Sequence, residues 1–236
     1  HVLSNAKLTY YAMHPKRGQD ASRAIGLIPQ FGGYLVHDAY ASYFAFADAE
    51  HVLCNAHILR ELRFLSEEQA QTWAGELKDL LLEMKKAVEL AQERGQLEPE
   101  QIQSFIGRYE KLLAQGWQAN PAPEALAKPK RGRRKQSPAQ NMLQRLGKYQ
   151  AAVLAFIHDF RVPFDNNLAE RDLRMMKVKQ KISGTFRSAK SAEIFARLRS
   201  YISTVRKQGG TVLDALSSAL AGQAFIPNSP TSPIGC

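Results

Sequence analysis

Residues 163–174 read PFDNNLAERDLR, and the way this stretch folds decides what the rest of the chain has to be. The cluster Asp165-Asn166-Asn167 offers side-chain oxygens of the kind that open helices, so the spacing predicts a helix starting there. On that helix Ala169, Leu173 and Met176 recur at spacings of four and three and are expected to face a core. Glu170, Arg174 and Lys177 follow the same spacing on the adjacent face, which puts a carboxylate within one turn of two cations. Two readings follow from these residues alone. One is a solvated helix with an i,i+4 ion pair. The other is an acid that holds a metal ion against a polyanion.

Composition favours a polyanionic partner. The 236 residues include 32 Lys and Arg against 22 Asp and Glu, a net charge of +10, and the pI is near 9.7. Nucleic acid is the commonest partner of such a surface. An apolar content of 44% is enough to build a core. Cys54 and Cys236 are too few and too far apart for a disulfide framework, which fits a reducing cytoplasm. No apolar run is long enough to cross a bilayer and no signal peptide is visible, so a membrane partner is not expected. The chain opens at His1 without an initiating methionine and enters a strand pattern almost at once, which reads as a piece of something longer.

Outward from the central stretch the periodicity changes twice. Residues 1–13 read as a hairpin around Ser4-Asn5-Ala6-Lys7, and Asp20 is placed to cap a short helix carrying Ala21, Ala24, Ile25 and Ile28. Phe31-Gly32-Gly33 then breaks the chain before a strand, Tyr34-Leu35-Val36-His37. A short aromatic helix from Tyr40 to Phe46 leads to a second strand, His51-Val52-Leu53-Cys54, and strands joined this way are expected to be parallel neighbours. Beyond Ile58 the strand signal ends: Trp73, Leu77, Leu80, Leu81, Met84, Val88 and Ala91 mark a long amphipathic helix, and Pro99 begins another. Residues 119–139 combine prolines with a basic run from Lys128 to Lys135 and read as an exposed, mobile loop. Helical periodicity resumes over 140–160. A later helix carries Ile194, Phe195, Leu198, Tyr201, Ile202 and Val205, and Thr211 with Asp214 opens a last short one. The expected organisation is an α/β core from residues 1–57 and 161–208, an all-helical insertion over 58–160, a helix over 209–222 and a disordered tail over 223–236.

Asp38 ends the strand that begins at Tyr34, the position at which open α/β sheets place their ligands. It could equally cap the helix that follows. The stretches GYLVHDAYASYF, HVLCNAHILREL, NNLAERDLRMMKVKQKISGTFRS and AEIFARLRSYISTVRKQG resemble the transposases of bacterial insertion-sequence family sixty-six, and the resemblance extends from His1 to about Leu220. It implies a DDE transposase with a ribonuclease-H-like fold and three acids that hold two divalent ions, Mg²⁺ or Mn²⁺. Asp38 then matches the second acid and Glu170 the third. The first acid would lie before His1, so the first strand of the core is incomplete and this chain alone is expected to be inactive. The implied reaction is cleavage of transposon-end DNA followed by strand transfer into target DNA. Two metal ions suit it because one activates the attacking oxygen and the other stabilises the leaving oxygen. The alternative is a truncated or decayed transposase that binds DNA without cutting it.

Arg171, Arg174, Lys177, Lys179, Lys181 and Arg187 would neutralise phosphates near the cut, as would Lys130, Arg131, Arg133 and Arg134 in the basic loop. A solvated basic surface is the alternative for each. Cys54 and His57 form a C-x-x-H pair without a second pair to complete a zinc site, so a structural or second-shell role is expected. Phe186 could be core or could stack on a base, whereas Trp73 and Trp117 read as core or helix-packing residues of the insertion. A bacterial, nucleoid-associated protein of the cytoplasm is expected, with a homo-oligomer and accessory transposition proteins as candidate partners besides DNA and the oligomeric state left open.

Overall fold

Two regions of different periodicity become two compact units in the computed structural model, which describes residues 1–121 and 136–228. The first unit comprises His1–His51 and Asn166–Cys236, and the second Val52–Asp165. The element composition is mixed α/β and mostly helical.

In the first unit the turn chemistry of Asn5 makes the hairpin. Its Oδ1 accepts from the N–H groups of Lys7 (2.9 Å) and Leu8 (2.7 Å), closing the turn between β1 (Val2–Ser4) and β2 (Thr9–Tyr11). The strands are antiparallel, with Leu3 opposite Tyr10. Helix α1 (Gln19–Ile25) begins after Gly18, not at Asp20; that acid lies inside the first turn and pairs with Lys16 at the surface (3.9 Å). Gly26, at φ 82, ends α1 by donating its N–H to Ser22 O in the left-handed conformation that suits glycine. Strand β3 (Tyr34–His37) pairs with β4 (Glu50–Leu53), through which the chain leaves this unit. Between them the expected aromatic helix shrinks to a 3₁₀ turn, Tyr43–Ala45. Its aromatic side chains are used for packing: Ile28, Leu35, Phe46 and Ala49 form a core with Leu3, Phe31 and Tyr43 against it. Among the described residues the two strand pairs form separate sheets.

The return segment supplies α7 (Asn167–Ser183), α8 (Ala189–Lys207) and α9 (Val212–Leu220). Helix α8 covers the free edge of β2 with hydroxyls. Thr204 Oγ1 accepts from Thr9 N–H (3.1 Å) and Ser200 Oγ from Tyr11 N–H (2.9 Å), so the edge is satisfied without a third strand. After α9, Phe225 packs on Tyr201 and donates its N–H to the Tyr201 hydroxyl (3.0 Å).

The second unit is a bundle of helices, in keeping with the amphipathic helical pattern of this stretch. It contains α2 (Asn55–Glu68), α3 (Thr72–Leu90), α4 (Pro99–Ala119), α5 (Pro138–Lys148) and α6 (Gln150–His158). The apolar face of α3 is buried as expected, from Trp73 through Leu77, Leu81 and Met84 to Val88. The single helical run expected over 140–160 is broken at Tyr149, which ends α5 and starts α6. Ser137 and Gln140 form a reciprocal capping box at the head of α5. Trp117 is 39% exposed, so only Trp73 is core. Among the described residues no helix is long and apolar enough to cross a membrane.

Candidate functional site

The two candidate acids stand at the end of β3 and at the head of α7. His37 is buried, Asp38 beyond it is exposed, and Ala39 takes a left-handed conformation with φ 63, which is costly for a residue with a Cβ. Two bonds hold this turn. Tyr40 N–H donates to Asp38 Oδ1 (3.2 Å) and Ala39 N–H donates to His37 Nδ1 (3.2 Å). Asp38 therefore makes a local turn of its own and does not cap a following helix.

The Ala39 bond fixes a chain of protons. A backbone N–H can only donate, so His37 Nδ1 must accept and Nε2 must carry the hydrogen. That hydrogen points to His51 Nδ1 at 3.1 Å, which leaves His51 Nε2 to donate to Phe46 O, also at 3.1 Å. Tyr43 and Phe44 close on the His37 ring at centroid distances of 5.1 and 4.8 Å. Burial, and secondarily the neighbouring His51, push His37 down to about 4, while Asp38 pulls in the opposite direction. The imidazole beneath Asp38 is thus a neutral, directed strut. The tyrosine over it is held protonated too, since burial and then the Asp38 carboxylate push the Tyr43 hydroxyl up.

Helix α7 carries the other candidate acid. Glu170 lies half-buried in its first turn, after Asn166 at the N-cap. At 3.6 residues per turn Arg174, Lys177 and Lys181 fall within about 40° of Glu170, and all three are exposed. Arg171 is exposed off that line, and so is Arg187 beyond the helix. Lys179 is differently employed: it is half-buried, its ammonium sits 5.0 Å from the Phe186 ring centroid, and Phe186 packs on Phe195 at 5.4 Å. Phe186 is therefore a packing residue, and Lys179 faces it. The basic candidates Lys130, Arg131, Arg133 and Arg134 lie outside the described residues.

The face of α7 expected to enter a core does not do so. No residue of α7 is fully buried, and Leu173 is 38% exposed. The helix is fastened by a residue that the apolar pattern passes over, Asp172. Its Oδ2 accepts from Ser4 Oγ (2.6 Å), Thr9 Oγ1 (3.0 Å) and Lys207 Nζ (3.0 Å), and Ser203 Oγ lies 3.1 Å from Oδ1. Its backbone carbonyl accepts from the Tyr11 hydroxyl (2.7 Å). Burial would push the Asp172 carboxyl up, but the bonds from Ser4 and Lys207 and the charge of Lys207 more than reverse this.

Asp38 and Glu170 belong to the first unit, whereas Cys54 and His57 belong to the second. There Cys54 is buried at the N-cap of α2, and the adjacent Asn55 donates its side-chain N–H to Val153 O (3.0 Å), binding α2 to α6.

An acid thus stands at a strand end, and another heads a row of exposed cations. Residues 1–194 match the family model described as Transposase IS66 family. The chain belongs to this transposase family, and a role in handling DNA comes with it. No curated protein and no solved structure matches the chain.

Proposed function

We propose that the chain carries the catalytic region of a DDE-type transposase on a ribonuclease-H-like core, cutting transposon-end DNA and joining it to target DNA. The observation that supports this most is α7, where Glu170 heads an exposed row of Arg174, Lys177 and Lys181 in a chain of a transposase family. Asp38 and Glu170 would hold Mg²⁺ or Mn²⁺, since both offer the hard carboxylate oxygens these ions take. Bound ions of this kind supply activation of the attacking oxygen and charge neutralisation at the leaving oxygen of an in-line displacement at phosphorus.

The chain's own residues do the rest. His37 and His51 keep the Asp38 turn in one shape, so the carboxylate is presented without a search among conformers. Arg174, Lys177 and Lys181 neutralise successive phosphates, which sets register on the duplex without reading sequence. Arg171 and Arg187 extend this surface. The test is nicking of a transposon-end duplex by the full-length protein with Mg²⁺ or Mn²⁺. Chelation, Asp38→Asn and Glu170→Gln should each bring nicking to background. Wild-type nicking by Glu170→Gln would remove Glu170 from the site.

A further inference from the structure

The motif at the head of α7 holds two acids two residues apart, and they face opposite ways. At 3.6 residues per turn Asp172 lies about 200° around the helix from Glu170. The Asp172 side chain is only 14% exposed and that of its partner Lys207 only 12%. Lys207 Nζ also donates to Asn5 O (2.8 Å) and Leu8 O (3.2 Å), the two carbonyls that flank the hairpin turn, and to Ser4 Oγ (2.5 Å). Ser4 Oγ in turn donates to Asp172, and Thr9 Oγ1, which also donates to Asp172, lies 2.9 Å from Ser203 Oγ. One carboxylate thus joins three elements: the β1–β2 hairpin, α7 and α8.

We infer that Asp172 is a positioning residue: its ion pair with Lys207 and its cage of Ser4, Thr9 and Ser203 set the rotation of α7, and so aim Glu170 and the cation row. The inference rests on the reading of Glu170 as a metal-holding acid. The physical reason is that apolar packing holds the rotation of α7 weakly: none of its residues is fully buried, and Leu168, Leu173, Met175, Val178 and Ile182 are each at least 36% exposed. Hydrogen bonds have direction where apolar contact has little, and a charge enclosed by one cation and three hydroxyls has one favourable orientation. A helix rolled by one residue would carry Glu170 about 100° away from its present direction.

The test compares Asp172→Asn, Lys207→Met and the double variant in the full-length protein, with Glu170→Gln beside them. Two quantities are read: the rate of tryptic cleavage at Arg171 and Arg174, and the Mn²⁺ concentration giving half-maximal nicking. Each single variant should speed cleavage within α7 and raise the Mn²⁺ requirement roughly 10–100-fold, the range typical of residues that orient a metal-holding group. Each single variant leaves one unpaired charge in the cage, so the double variant should be no worse than the worse single variant. Wild-type trypsin protection and an unchanged Mn²⁺ requirement in Asp172→Asn would overturn the inference, as would a double variant whose effect is the sum of the singles. If Glu170→Gln nicks normally, the metal-site reading fails by itself, and trypsin protection alone then decides whether Asp172 holds the helix.

Discussion

Lowering the pH in the presence of a chelator should loosen the Asp38 turn well before it unfolds the second unit. His37 is 3% exposed, and its Nδ1 accepts the Ala39 N–H while its Nε2 donates to His51. Protonation puts a hydrogen on Nδ1 and turns that acceptor into a donor facing a donor. The unfolded chain takes up this proton near the ordinary value of 6.5, whereas the folded one resists until about 4. The folded pKa is the lower one, so the stabilisation is fully present above 6.5 and is lost as the pH falls toward 4. The gap corresponds to about 3 kcal/mol below pH 4, of which about 2 kcal/mol is already lost at pH 5. Hydrogen exchange of peptides spanning residues 34–51 reads the opening free energy directly. Both tryptophans, Trp73 and Trp117, lie in the second unit, so their fluorescence monitors that unit in the same samples. Other groups that titrate in this range are cancelled by comparison with His37→Asn, whose Oδ1 can accept the Ala39 N–H but whose side chain does not titrate. The wild type should lose about 2 kcal/mol more than the variant between pH 7 and 5. Parallel losses in the two proteins would refute the argument.

Binding of transposon-end DNA should separate the cations of α7: Lys177→Ala and Lys181→Ala should each weaken binding and lower the salt slope by about 1, measured by titration over a range of salt. Lys179→Ala should leave that slope unchanged, because its ammonium faces Phe186. In α4 two glycines should respond with opposite signs. An added Cβ at Gly107 meets no atom within 4 Å, so Gly107→Ala should stabilise by about 0.5–1 kcal/mol through helix propensity. At Gly116 it would lie 2.5 Å from Leu143 Cδ2 and 3.0 Å from the Trp73 ring, so overpacking of about 1–3 kcal/mol should outweigh that gain. Urea melts followed by tryptophan fluorescence check both, and a stabilising Gly116→Ala would mean that α4 and α5 separate easily.

The second unit was legible because its information is periodic: Trp73, Leu77, Leu81 and Met84 form an apolar stripe that has one use, and the structure buries it. The break at Tyr149 was not, although the polar run Lys148-Tyr149-Gln150 is a local signal for it. The head of α7 shows why patterns of apolar spacing miss a site. They ranked Ala169, Leu173 and Met176 as the inner face, yet the inward contact is made by Asp172, whose partners Ser4, Thr9, Ser203 and Lys207 are separated from it by 31 to 168 residues. Nothing within one turn of Asp172 announces a cage of hydroxyls, and a carboxylate with no visible partner reads as solvated. The same holds for His37 and His51, which meet only because β3 and β4 pair. Glu170 was singled out for the opposite reason: the cations that share its helix face are its neighbours in sequence, although that face alone also fits a solvated ion pair and the reading as a metal-holding acid came with the family resemblance. Aiming that acid is a long-range matter, and the residue that does so stands two positions away in the same motif.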